Sequence, residues 1–317
     1  MASAHTFASS PSSPIGRHGM ATYGFVGLGA MGKHMVSHML AKGLAVVVFD
    51  RNENAIREAV SGGAEPAKSA RDLADRAEVV MICLPTPDIV EAVATGQNGL
   101  IEGSKIKVFV DHSTTGPTVA RKLADAFAGR NIVSLDAPLA GGVAGAKAGT
   151  LSVLVSGAAS GFERAKPAFD AFGRNVAHLG EQPGLGQTLK LVNNMIAGAA
   201  LVTAAEAVLF GVKAGIPAQV ILDALSKSAT ARSFAVDTLL GEKVLSRNFD
   251  FGFRMDLMRK DMRLALSEAE AVKSPMLACS VVKQIFDAAI ADGFDGDDMT
   301  KVVIQLEKLA HAEIKAT

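Results

Sequence analysis

The chain has 317 residues, about half of them apolar, with 32 Lys plus Arg balanced against 32 Asp plus Glu. Zero formal net charge provides no field to draw in nucleic acid or an anionic membrane surface, so neither is an expected partner. The two cysteines, Cys83 and Cys279, lie in apolar stretches. They are too few for a disulfide framework and read as buried thiols of a reducing compartment.

Residues 1–20 are rich in Ser, Ala and Pro and carry no periodic pattern. They lack the apolar core of a secretory signal and read as a disordered tail, and a cytoplasmic location is the expectation. From Met20 onward, short apolar runs at 21–27, 44–50, 79–84, 106–111, 132–136 and 151–156 read as buried strands. Helical stretches such as 33–42 and 52–61 lie between them. Near-continuous apolar strands alternating with helices predict a doubly wound α/β domain over 21–186, its parallel sheet covered on both faces. A last strand is expected at 175–179.

Beyond Gly186 the strand signal stops. Residues 187–214 read as one long Ala-rich helix ended by Gly215 and Pro217. Further helices at 218–226, 253–272, 275–291 and 299–313 complete an all-α domain over 187–317. The long helix is apolar on most faces, which points to wrapping by other helices, those of a partner subunit included. Its longest uncharged run, 191–205, falls short of the ~20 residues a bilayer span requires.

The sequence Gly27-Leu28-Gly29-Ala30-Met31-Gly32 follows the first strand and opens the first helix. Glycines there serve a tight turn, close backbone approach to a pyrophosphate, and helix–strand packing, with the helix N-terminus facing the phosphates. The pattern alone is weak in a chain with 31 glycines. Its context strengthens it: the second strand ends in Asp50, placed to bond the ribose hydroxyls of a dinucleotide. An ordinary strand–turn–helix with a capping Asp is the alternative. Asp50 favours NAD; Arg51 beside it could pair with a 2′-phosphate, so NADP stays open.

Lys190 and Asn194 are four apart and project from one face of the long helix, near the junction of the two domains. A lysine in an apolar helix is expensive to bury, although a lysine at a helix start can also snorkel. His34 and His38 share one face of the first helix without a third ligand and read as surface or packing residues, so no metal site is expected. His112 has the best placement of the histidines for lining a cleft.

Five stretches, 27–32, 111–117, 136–145, 184–194 and 260–266, occur in the order found in the β-hydroxyacid dehydrogenases, and from Tyr23 onward the chain resembles that family. The resemblance implies a Rossmann-type domain followed by an all-α domain, and NAD, with NADP possible, as cofactor. It implies that Leu84 and Pro85 lay backbone against the cofactor, that Thr114 contacts its nicotinamide end, and that Lys260 lies near it. Gly141, Gly142, Asn194 and Asp261 would meet the substrate, Phe253 would line the cleft, and Lys190 would be the catalytic residue. The position before the glycine pair is usually Ser in the family and is Ala140 here.

The implied function is hydride transfer between the cofactor and a short β-hydroxy acid or its semialdehyde. Reduction of tartronate semialdehyde is ranked first and oxidation of 3-hydroxyisobutyrate next. The family also implies a homodimer or homotetramer built through the helical domain. A dinucleotide-binding module without catalysis is the alternative of another class; retention of Lys190 and Asn194 argues against it. Imine reductases share the fold but usually lack the lysine.

Overall fold

The computed structural model describes residues 22–316; the expected tail at 1–20 lies outside them. β1 (Tyr23–Val26), β2 (Val46–Phe49), β3 (Glu65–Pro66), β4 (Val79–Ile82), β5 (Val108–Asp111) and β6 (Val133–Asp136) pair in parallel in the order β3-β2-β1-β4-β5-β6. That order reverses between β1 and β4, and such a switch point leaves a crevice beyond the carboxyl ends of the strands.

Side chains alternate across the sheet with the period of two that a strand imposes. Phe25, Val48, Met81 and Val110 face one layer, covered by Met35 and Met39 of α1 (Gly32–Ala41) and by Phe169 and Phe172 of α7 (Ala159–Phe172). Val26, Val47, Ile82 and Phe109 face the other, covered by α3 (Ala70–Ala74), α4 (Pro87–Thr95) and α5 (Pro117–Ala128). The helix starts are encoded locally. The Asn52 side chain accepts from the N–H of Asn54 at the head of α2 (Glu53–Ser61), and α4 and α5 each open on a proline.

The sheet departs from expectation at one edge. β8 (Leu151–Gly157) runs antiparallel to β6 and to β7 (Leu139–Ala140), and β9 (Gly173–His178) then pairs with β8 in parallel. An apolar run reports that a strand is covered on both faces, not which way it points. β3 and β7, two residues each, carry too little pattern to be seen in sequence.

The remainder is helical: α8 (Leu185–Lys213), α9 (Ala218–Leu225), a π-helical segment (Ala235–Val244), α10 (Met255–Ala271), α11 (Leu277–Ala289) and α12 (Val302–Ala310). Thr238 and Gly241 weaken the helical signal of the π-helical segment, which has no counterpart among the expected elements. α8 starts two residues before the expected Gln187, because Gly184 turns the chain at φ 95°. By length and composition α8 passes for a membrane span. Its Leu191, Met195, Leu201, Val202 and Val208, however, belong to the core shared with α10, α11 and α12. Leu189, Val192, Ile196 and Phe210 of the same helix stay exposed. Cys83 and Cys279 are free thiols and half-buried rather than fully buried.

Candidate active site

The three glycines of the first turn do three different things. Gly27 sits at φ 97°, and a Cβ there would lie 2.3 Å from the Cys83 carbonyl oxygen. At Gly32 a Cβ would lie 1.9 Å from the Gly27 carbonyl oxygen, so α1 can seat on the turn only through a glycine. Gly29 has nothing within 4 Å of where its Cβ would be, and Gly29 and Ala30 are exposed. This open backbone at a helix N-terminus fits a dinucleotide pyrophosphate.

Asp50 stands at the end of β2 with its carboxylate turned onto the glycine turn, accepting from the N–H of Leu28 at 2.6 Å and of Asn52 at 2.7 Å. It holds the turn and stays half-exposed, while Arg51 beside it is exposed. Across the switch point the Leu84 N–H donates to Ser113 Oγ at 2.9 Å, tying the turn that carries Leu84 and Pro85 to the loop after β5. Thr114, half-exposed, lies in that loop.

The helical half meets this edge through α8 and α10. Lys190 is half-buried one turn from Asn194. Asn194 Nδ2 donates to Asp261 Oδ2 at 2.5 Å, and Lys260 Nζ pairs with Asp261 Oδ1 at 3.0 Å while donating to the Thr114 carbonyl oxygen at 2.7 Å. Asp261 is only 2% exposed, so the middle of this chain of contacts from α8 through α10 to the β5 loop is closed to water. Burial holds the Lys190 ammonium below the ordinary lysine value, with the Lys260 charge adding to the shift and the Asp261 charge opposing it.

Gly141 and Gly142 open the helix α6 (Gly142–Ala148) at φ 120° and 60°, following from the carboxyl end of β6, and Ala140 precedes them in β7. Phe253 is half-buried against the helical core, with its N–H on Asp298. His38 and His112 take structural positions. His38 Nε2 lies 3.1 Å from the carbonyls of Ala146 and Lys147 at the end of α6. His112 does not line the cleft: it is buried among Phe25, Phe169 and Phe172, with Nδ1 2.7 Å from the Ala137 carbonyl, and burial pushes its pKa down to about 4.

Sequence patterns do not reveal the polar root of α8. Asp136, at the end of β6, accepts from the N–H of Gly184 and Gln187 and from Ser156 Oγ, at 2.8, 2.9 and 2.6 Å. Gln187, with no exposed surface, reaches the loop after β5. The usable signal is Asp136 alone, a carboxylate at the end of an apolar strand; Gln187 is one of several polar residues at the start of α8.

A glycine turn whose open backbone suits a pyrophosphate, at the strand edge that the helix carrying half-buried Lys190 also meets, fits a nicotinamide-dependent oxidoreductase. Comparison with known proteins takes this further. Residues 22–180 match the family described as the NAD binding domain of 6-phosphogluconate dehydrogenase, and residues 184–306 the NAD-binding domain of NADP-dependent 3-hydroxyisobutyrate dehydrogenase. The chain is 33% identical to the 2-(hydroxymethyl)glutarate dehydrogenase of Eubacterium barkeri, over 92% of this chain and 96% of that one. It is 37% identical to the 3-hydroxyisobutyrate dehydrogenase of Pseudomonas aeruginosa, over 84% and 91% of the two chains. The crystallised Mycobacterium tuberculosis 3-hydroxyisobutyrate dehydrogenase with L-serine superposes with a TM-score of 0.82 at 31% identity, covering 90% of this chain and 99% of that one. The chain belongs to the β-hydroxyacid dehydrogenase family and is an NAD(P)-dependent oxidoreductase acting on CH–OH groups.

Proposed function

We propose that this enzyme interconverts a short 2-substituted 3-hydroxypropanoate and its semialdehyde, with Lys190 as the general acid and base. The observation that carries the reading is the Lys190 environment: an ammonium made more acidic by burial, one helical turn from an Asn194 that is locked to Asp261. The nicotinamide, when bound, supplies or accepts the hydride at the substrate carbon. In oxidation neutral Lys190 takes the hydroxyl proton; in reduction its ammonium returns a proton to the carbonyl oxygen. Asn194 orients Lys190 and the substrate, and Asp261 holds Asn194 and Lys260 in place. Lys260, bonded to the Thr114 carbonyl, fixes the loop that would hold the nicotinamide. Leu84, Pro85 and the residues of the glycine turn would hold the rest of the cofactor, and the backbone N–H groups at Gly141 and Gly142 would receive the substrate carboxylate.

The substrates that name the relatives, 3-hydroxyisobutyrate and 2-(hydroxymethyl)glutarate, share a carboxylate, a CH2OH group and a variable group at carbon 2. Ala140 presents a methyl group where a hydroxyl is usual, which suits an apolar group at carbon 2 such as the methyl of 3-hydroxyisobutyrate. Reduction of tartronate semialdehyde, giving the same skeleton with a hydroxyl at carbon 2, ranks behind it. Asp50 sits where a 2′-phosphate would meet a carboxylate, and NAD is the preferred cofactor over NADP.

The working division is a dinucleotide-binding domain to Gly186 and a helical domain beyond it, in a cytoplasmic protein. Leu189, Val192, Ile196 and Phe210, exposed along α8, suit a homodimer or homotetramer built through the helical domain. The test is a matrix of 3-hydroxyisobutyrate, L-serine, 2-(hydroxymethyl)glutarate, glycerate and tartronate semialdehyde against both cofactors. The highest kcat/KM is expected for 3-hydroxyisobutyrate with NAD. Turnover of none of the five would overturn the proposal.

A further inference from the structure

The contacts at the root of α8 form a socket. Gln187 has no exposed surface, and its side-chain amide makes three hydrogen bonds to the loop after β5. Oε1 accepts from the N–H of Thr115 at 2.9 Å and of Gly116 at 3.1 Å, and Nε2 donates to the Ser113 carbonyl at 2.8 Å. These bonds bracket Thr114, the residue whose carbonyl receives Lys260. The Gln187 N–H itself is held by Asp136 at the end of β6. A Cβ on Gly186 would lie 2.2 Å from the Leu154 carbonyl oxygen, so the helix is seated as deep as the backbone allows.

We infer that Gln187 is a positioning residue, setting the distance between the nicotinamide loop at Thr114 and the proton-transferring Lys190, three residues further along the same rigid helix. The inference rests on the reading of Lys190 as the acid and base. One side chain is bonded to three backbone groups of the loop, and its Cα belongs to the helix that carries the lysine. The two halves of the reaction, hydride from one side and proton from the other, are therefore joined directly through this side chain, beside the longer route through Lys260, Asp261 and Asn194. A misplacement of about 1 Å between reacting groups costs on the order of 10²-fold in rate.

The residue type follows from the bonding. Two N–H groups need an acceptor and one carbonyl needs a donor, and a primary amide of this length offers both without charge at any pH, where a carboxyl does so only while protonated. A glutamate would fit the space and satisfy the two N–H groups, but its ionised form would face the Ser113 carbonyl with a lone pair. It would also join a setting that already holds Asp111, which accepts from the Ser113 N–H and Thr115 Oγ1, and Asp136 on the Gln187 N–H. The other charged or titratable groups around this loop are Lys260 on the Thr114 carbonyl with Asp261 paired to it, Cys83 near Asp111, Glu268 on Thr118, Lys190 on α8 itself and buried His112 before Ser113. Protonated, the same glutamate becomes a near copy of the glutamine, its O–H replacing the amide donor.

The experiment compares Gln187→Met, Gln187→Glu and Lys190→Ala in the full-length enzyme. It uses the best substrate of the panel, with and without deuterium at its carbinol carbon. For Gln187→Met, cofactor affinity within about threefold of wild type, kcat lowered about 10- to 100-fold and a larger deuterium isotope effect on kcat are expected. For Gln187→Glu, the ratio of its kcat to that of wild type is expected to fall as pH rises and the carboxyl ionises. A purely structural role would lower thermal stability and move neither readout. Wild-type kcat and isotope effect in folded Gln187→Met would overturn the inference. If that variant does not fold, a pH-independent ratio for Gln187→Glu overturns it. Lys190→Ala separates the two claims: wild-type turnover there sinks the reading of Lys190. A dead Lys190→Ala beside a normal Gln187→Met removes only the positioning role.

Discussion

The turn after β1 and the root of α8 both meet the carboxyl edge of the sheet, and they are built from opposite materials. The turn is backbone and empty space: Gly27, Gly29 and Gly32 contribute by lacking side chains, and one carboxylate, Asp50, holds the loop from outside. The root of α8 is a closed set of buried polar side chains, Asp136, Ser156, Gln187, Ser113 and Thr115, each bonded to the next or to its neighbour's backbone. The first arrangement leaves donors open for a ligand that arrives. The second leaves none open and fixes the lysine beyond it. A cofactor that binds and leaves every turnover needs the former, and a proton donor that must not wander needs the latter.

The sharpest way to break this comparison is at Lys190. Lys190→Met is expected to lower kcat about 10²- to 10⁴-fold, the worth of a positioned proton donor. NADH binding followed by the fluorescence of the reduced nicotinamide should stay within a few-fold of wild type. Equal losses in binding and turnover would mean that the two ends are one site rather than two separable ones.

Next in size are the glycines. Gly32→Ala should destabilise the fold by about 3 kcal/mol, in the range of severe steric substitutions, because its Cβ would be driven into the Gly27 carbonyl. Gly29→Ala should leave the melting temperature within a degree or two and weaken NAD binding about tenfold or more, since its space is needed only by the ligand. Thermal melts with and without NAD check both, and a destabilised Gly29→Ala would contradict the assignment of that space.

Smaller effects belong to the buried pair under the catalytic edge. Burial lifts the Asp111 carboxyl from 3.8 to about 6 and lowers His112 from 6.5 to about 4. The raised acid contributes stability below pH 3.8 that is lost as pH rises through 6. The depressed base contributes stability above pH 6.5 that is lost as pH falls toward 4. Each is worth about 3 kcal/mol at 1.36 kcal/mol per pKa unit, and the two oppose each other across the same window. Asp111→Asn should expose the histidine alone, so that its stability relative to wild type falls between pH 6.5 and 4.5. Urea midpoints at the two pH values test this, and a constant difference would refute it.

These two regions were not equally legible in sequence. The glycine turn is local: strand, turn, helix and the Asp at the end of the next strand lie within 28 residues, so spacing alone exposes it. Lys190 and Asn194 show as polar residues four apart on an apolar helix. What spacing cannot show is the set of partners they need. Asn194 meets Asp261 across 67 residues, Gln187 meets Thr115 across 72 and Asp136 across 51. Such pairs leave no periodic trace, and Gln187 reads as one more polar residue at a helix start. The antiparallel β8 escaped for a related reason, since burial on two faces sets composition while direction is set by the connection.

The central claim, that Lys190 carries the proton, is tested most directly by restoring the missing amine. Lys190→Ala should be nearly inactive in oxidation, and added small primary amines should recover activity in proportion to the concentration of their unprotonated form, with NAD affinity unchanged. Lys190→Ala turning over at a rate close to wild type without any amine would contradict the account.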